Sequence, residues 1–105
     1  MIQQLSAEQY AELIQKKSVW NLDVREKYEY EAGHIEGALL VPSTRFDEEF
    51  EKLKIKKTDK IAVYCRSGNR SDFIANKLAA KGYGSVYNLE IGLLEWVRMR
   101  LPIVK

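Results

Sequence analysis

Lys60-Ile61-Ala62-Val63-Tyr64-Cys65-Arg66-Ser67-Gly68-Asn69-Arg70-Ser71 decides the fold. Its first five residues are β-rich and almost wholly apolar, the signature of a strand buried on both faces of a parallel sheet. A polar, glycine-containing loop follows at once. Beyond it Phe73, Ile74, Lys77, Leu78 and Ala79 recur at helical spacing up to Gly82, which predicts a helix beginning near Arg70 or Ser71. Strand, tight loop and helix in that order form half of a βαβ unit, and ligands of such sheets lie outside the carboxyl ends of the strands. Cys65 stands at that end.

The same alternation extends in both directions. Upstream, Ser6 and Gln9 have the form of a capping box opening a helix over Ala7–Lys16. Val19 to Val24 reads as a buried strand ending at Asp23 or Val24. Lys27–Ala32 reads as a short helix stopped by Gly33, and Ala38 to Val41 as a short strand closed by Pro42. Phe46, Phe50 and Leu53 mark an amphipathic helix whose acidic run, Asp47 to Glu49, is expected to be a solvated face. Downstream, Val86 to Leu89 reads as a strand and Leu93 to Val97 as the start of a last helix. Strands alternating with helices predict one α/β domain over residues 1–105, a parallel sheet with helices on both faces.

Composition narrows the function. The chain has 105 residues, 46% of them hydrophobic and 30% charged, an ordinary globular balance. Its 17 Lys and Arg against 15 Asp and Glu leave a net charge of +2, with no basic stripe of the kind nucleic acid requires. No nucleic-acid partner is expected. One Cys and one His exclude an intrachain disulfide and a zinc site of Cys and His alone; neither a metal nor a cofactor is expected. The N-terminal residues lack the basic and apolar regions of a signal peptide, and no apolar run is long enough to span a membrane. A cytoplasmic protein without membrane contact is expected, of a size that suits a monomer.

The loop itself carries the chemistry. Gly68 allows the backbone to curl so that successive N–H groups point inward as an anion nest. The following helix adds the positive end of its dipole, and Arg66 and Arg70 add two guanidinium groups. These features favour a thiolate at Cys65. A cysteine merely packed at a strand end has no use for them.

Cys65-Arg66-Ser67-Gly68-Asn69-Arg70-Ser71 resembles the active-site loop of the single-domain rhodaneses, the thiosulfate-type sulfurtransferases. Leu22-Asp23-Val24-Arg25-Glu26 is similar to that family's first signature, Gly33-His34-Ile35-Glu36-Gly37-Ala38 with Pro42 to its second, and Tyr87-Asn88-Leu89-Glu90 with Gly92 and Trp96 to its closing segment. Ile91 stands where the closing segment usually has a first glycine. The resemblance implies the rhodanese-like three-layer α/β/α fold with a central, mainly parallel sheet. It implies sulfur transfer from thiosulfate or a similar small donor through a Cys65 persulfide. Loop amides from Arg66 through about Arg70 would hold the sulfur, with Ser67 adding a hydroxyl, so that Arg66, Ser67, Gly68, Asn69 and Arg70 form the substrate- and anion-binding loop. Arg66 and Arg70 would attract the anionic donor. The acceptor is cyanide in vitro and a thiol or protein in the cell.

Asp23, Arg25 and His34 belong to the signatures but read as structure: the first two as a pair tying neighbouring loops, the third as a helix-end group bonding carbonyls. Trp20 and Trp96 are expected in the core. Alternatives remain: a persulfide carrier or interaction module for a dedicated partner, or a phosphatase or arsenate reductase of the same fold. Against the last two, only four residues separate Cys65 from Arg70, one fewer than a phosphate cradle uses, and Tyr64 stands where phosphatases place His.

Overall fold

A computed structural model describes residues 2–105; Met1, the first residue of the expected domain span, lies outside the described residues. Five strands form one sheet: β1 (Ile2–Leu5), β2 (Val19–Asp23), β3 (Leu39–Leu40), β4 (Lys60–Tyr64) and β5 (Ser85–Leu89). Five helices alternate with them: α1 (Ala7–Ile14), α2 (Lys27–Ala32), α3 (Phe46–Lys52), α4 (Asn69–Ala80) and α5 (Leu93–Arg98), with a 3-10 turn at Ser43–Arg45. The spatial order is β1-β5-β4-β2-β3, and every pairing is parallel.

β4 is the middle strand and its alternation builds both cores. Ile61, Val63 and Cys65 face Phe46 and Phe50 of α3 and Ile74 and Leu78 of α4. Ala62 and Tyr64 face Tyr10 of α1, Ile35, Ala38 and Trp96 of α5. Helices thus cover both faces, which is the expected three-layer α/β/α arrangement. Among the described residues no helix is long and apolar enough to cross a membrane.

The elements differ from the sequence reading chiefly at their ends. α1 stops at Ile14, two residues before the expected Lys16, and Lys16 instead closes a turn back to Leu13 O. The Ala38–Val41 run supplies only two paired residues, because Ala38 N is turned onto Ile35 O. α4 starts at Asn69, one residue before the expected Arg70, since Gly68 O already accepts from Asp72 N at 2.9 Å. Trp20 is only half-buried and donates its indole N–H to Asp59 at 3.1 Å, whereas Trp96 is buried as expected. β1 was not anticipated. It is an edge strand whose Gln3 and Gln4 are exposed, so no apolar alternation marks it.

Candidate active site

The last turn of β4 hands Cys65 to the α4 side of the sheet, where it is 1% exposed. Its sulfur accepts from Gly68 N at 3.2 Å, Ser71 N at 3.4 Å and the Ser71 hydroxyl at 3.4 Å. The curl depends on Gly68, whose φ of +95° favours glycine and whose missing Cβ leaves room for the carbonyl of Glu90. The loop is pinned from the other side by the corner between β5 and α5. Leu93 N donates to Cys65 O at 2.9 Å and Leu94 N to Arg66 O at 3.0 Å. Gly92, with φ +72°, passes so close to the Arg66 carbonyl that a side chain has no place there. Ile91 has no positive φ, so a glycine is not needed at that position.

The hydroxyl that reaches the sulfur is therefore that of Ser71 rather than Ser67, whose side chain is exposed and makes no hydrogen bond among the described residues. Ser71 is in phase with the sulfur because the first helical turn carries it back over Cys65. Arg66, Ser67 and Asn69 lie on the surface around the loop. Arg70 is engaged: its guanidinium forms a two-pronged contact with Glu29 of α2 at 2.8 and 3.0 Å. Glu29 Oε1 also accepts from Glu26 N at 3.0 Å. The Arg70 guanidinium holds the Glu29 carboxyl down to about 2, and Glu29 in turn raises Arg70. Arg66 is thus the loop arginine without an ion-pair partner among the described residues.

A carboxylate depressed in the fold stabilises it above its unfolded pKa, and that contribution is lost as pH falls toward the folded value. The Glu29–Arg70 pair should therefore add stability above about pH 4.3 and lose it as pH falls toward 2. Arg70's side chain is 38% exposed, so screening limits the effect to about 1 kcal/mol. Acid unfolding of Glu29→Gln, compared with the native chain, should lack that step.

Asp23, Arg25 and His34 occupy structural places. Arg25 donates to Asp23 from Nε at 3.0 Å and from its terminal nitrogen at 2.7 Å, and from the same nitrogen to Gly33 O at 2.7 Å. The buried pair joins the end of β2 to the loop after α2. Tyr64 completes the group, donating to Asp23 at 2.7 Å and accepting from Ile35 N at 3.0 Å. Burial, reinforced by the Asp23 charge, pushes the Tyr64 hydroxyl well up. Tyr64→Phe should leave Ile35 N–H unpaired and cost about 1–3 kcal/mol in denaturant unfolding. His34 stacks on Tyr30 with ring centroids 3.7 Å apart, and its Nδ1 lies 2.8 Å from Tyr30 O.

Ser71, Glu29 and Tyr64 are the site residues that motif reading missed. A signal existed only for Ser71, which sits one helical turn after Gly68 in the same loop. Glu29 lies 41 residues from Arg70 and meets it only through the fold.

This chain belongs to the rhodanese-like family: the model of the rhodanese-like domain matches residues 6–99. It is 36% identical over 100 residues to a tRNA uridine(34) hydroxylase of Hamiltonella defensa subsp. Acyrthosiphon pisum, covering 91% of this chain and 28% of that protein. It is 35% identical over 98 residues to the protein of the same name from Photorhabdus laumondii, with 90% and 28% covered. The chain thus spans under a third of the curated relatives it matches. Among solved structures, a rhodanese-related protein from Thermoplasma volcanium superposes with a TM-score of 0.83 at 29% identity over 97% of each chain. A thiosulfate sulfurtransferase from Pseudomonas aeruginosa shares the fold, with a TM-score of 0.84 at 22% identity, over 98% of this chain and 19% of that one.

Proposed function

We propose that this chain is a sulfurtransferase that moves a sulfane sulfur from thiosulfate or a similar anionic donor to an external acceptor through a persulfide on Cys65. The observation that carries the reading is the convergence of two backbone N–H groups and the Ser71 hydroxyl on a buried cysteine sulfur. In the first step the Cys65 thiolate attacks the outer sulfur of thiosulfate. A new S–S bond forms, the donor's S–S bond breaks, and sulfite leaves with the electron pair. In the second step an acceptor attacks the outer sulfur and the Cys65 thiolate departs. Cyanide gives thiocyanate and a thiol gives a new persulfide. The two half-reactions predict ping-pong kinetics.

Arg66 serves as the exposed cation that meets the donor, while Arg70, held by Glu29, braces the start of α4. No second Cys exists to resolve the persulfide internally, so the acceptor must come from outside. The small donor and the thiol or protein acceptor account for the partners. A cytoplasmic location suits a reduced single thiol, and no metal or cofactor takes part in either step.

The test is the intact mass of the protein before and after incubation with thiosulfate. A gain of one sulfur atom, lost on adding cyanide, supports the cycle. No gain from thiosulfate or from a small persulfide donor would overturn it. A second reading follows from relatives named for a tRNA uridine, which the charge balance did not anticipate. In it the chain presents its Cys65 loop to a tRNA that it binds itself. Co-migration of the chain with tRNA, alone and with sulfur loaded, distinguishes the two.

A further inference from the structure

The buried amide of Asn88 is a polar group that the sulfur chemistry leaves unexplained. Asn88 is 1% exposed on β5, in phase with Val86 and so on the α4 face of the sheet. Its Nδ2 donates to Gln4 Oε1 at 2.8 Å and lies 3.5 Å from Gly68 O, at the long end of hydrogen-bond reach. Gln4, on β1, donates from Nε2 to Asp72 Oδ1 of α4 at 2.7 Å. A carboxylate only accepts, so Asp72 fixes which end of the Gln4 amide it meets. Gln4 Oε1 is then left facing Asn88 and fixes Nδ2 there. The outcome strands Asn88 Oδ1, buried and without a partner among the described residues. Such a group carries a desolvation penalty that no hydrogen bond repays. An apolar side chain would avoid that cost, which points to Nδ2 as the useful end of the residue.

What Nδ2 meets is the Gly68 carbonyl. Gly68 N donates to the Cys65 sulfur, and Gly68 O is shared by Asp72 N at 2.9 Å, the Ser71 hydroxyl at 3.2 Å and Asn88. Ser71 has one hydroxyl proton and two acceptors within reach, Gly68 O and the sulfur. An Asn88 donor on Gly68 O frees that proton for the sulfur. We propose that Gln4 and Asn88 are positioning residues that hold the Gly68 carbonyl and, by relieving the Ser71 hydroxyl of it, set how many donors reach the Cys65 sulfur. The inference rests on the sulfur chemistry proposed above. Gln4 lies outside the residues 6–99 matched by the family, so the device is built from the N-terminal edge strand of this chain.

The test reads the rate of Cys65 alkylation by iodoacetamide as a function of pH, which needs no sulfur donor. The charged groups around the sulfur are Arg66 in the loop, Arg70 and Asp72 on α4, Glu29 on α2, the Asp23–Arg25 pair beyond β4, and Glu90 after β5. Gln4→Met changes none of them and keeps side-chain length. It should displace the alkylation profile to higher pH and lower the rate of sulfur transfer by roughly tenfold, within the range known for small misplacements remote from the chemistry. Asp72→Ala should show the same displacement relative to Asp72→Asn, which removes the same charge but keeps an acceptor for Gln4. Ile2→Ala loosens β1 without touching the amide chain; it should lower the unfolding temperature and leave the profile alone.

An unchanged profile in both Gln4→Met and Asp72→Ala overturns the proposal. So does an equal displacement in Ile2→Ala, which would reduce the effect to the stability of an edge strand. If Gln4→Met fails to fold, the two Asp72 variants carry the comparison. A displaced profile in a chain that accepts no sulfur would leave the amide device standing and remove the sulfurtransferase reading instead.

Discussion

Cys65→Ser is expected to abolish sulfur transfer, by more than roughly a thousandfold, while the chain still folds. A hydroxyl cannot become a persulfide, so the covalent intermediate is lost outright rather than slowed. The fold tolerates the exchange because the replaced atom sits among donors. Gly68 N, Ser71 N and the Ser71 hydroxyl, which now reach sulfur at 3.2 to 3.4 Å, can each turn to an oxygen. The buried polar atom therefore has partners, and the stability change should stay within about 1 kcal/mol. Intact mass after thiosulfate treatment should show no sulfur on the variant, with native circular dichroism. Sulfur carried by Cys65→Ser, or thiocyanate formed at the native rate, would sink the mechanism. Arg66→Ala supplies the contrast: it should chiefly raise the KM for an anionic donor, because the proposed role of its exposed guanidinium is to meet the donor and it holds no part of the loop.

The reach of the sequence can be judged from the same residues. The strand Lys60–Tyr64 was legible to the residue because it is buried on both faces and reads as one apolar run. The loop glycine was legible because its positive φ is a requirement of the backbone. Which loop groups meet the sulfur was not. The choice of Ser71 over Ser67 depends on the first turn of α4, and the one-residue error in that helix's start moves the inward face. β1 left no pattern because its middle residues are polar and exposed, yet Gln4 links that strand, through Asn88 and Asp72, to the carbonyl of Gly68. Arg70 read as a free cation because its partner, Glu29, sits on a separate short helix 41 residues away in sequence. The expected Asp23–Arg25 pair was legible in sequence, since two residues separated by one position at a strand end need only a local turn to meet.

That pair carries the second large effect. Asp23→Ala is expected to cost about 3–5 kcal/mol, because it leaves the buried Arg25 guanidinium uncompensated. Asp23 is 0% exposed and Arg25 5% exposed, so water replaces little of what is lost. The same carboxylate accepts from Tyr64 and from Arg25 N, at 2.7 and 2.9 Å, and both donors are stranded with it. A domain stabilised by roughly 5–15 kcal/mol would then be partly unfolded in mild denaturant. Arg25→Ala should be costly for the complementary reason, an unpaired buried carboxylate. Replacing both together, as Asp23→Leu with Arg25→Met, should recover much of the loss, since an apolar pair of similar volume removes both charges. Recovery tells the buried charge apart from the loop tie to Gly33 O, which the double variant also lacks. If the double variant is as unstable as the sum of the singles, the tie between β2 and the loop after α2 is the larger part. In either case the folded fraction of the double variant, which removes both charges together, should alkylate at Cys65 at close to the native rate, because this network touches none of the donors on the sulfur.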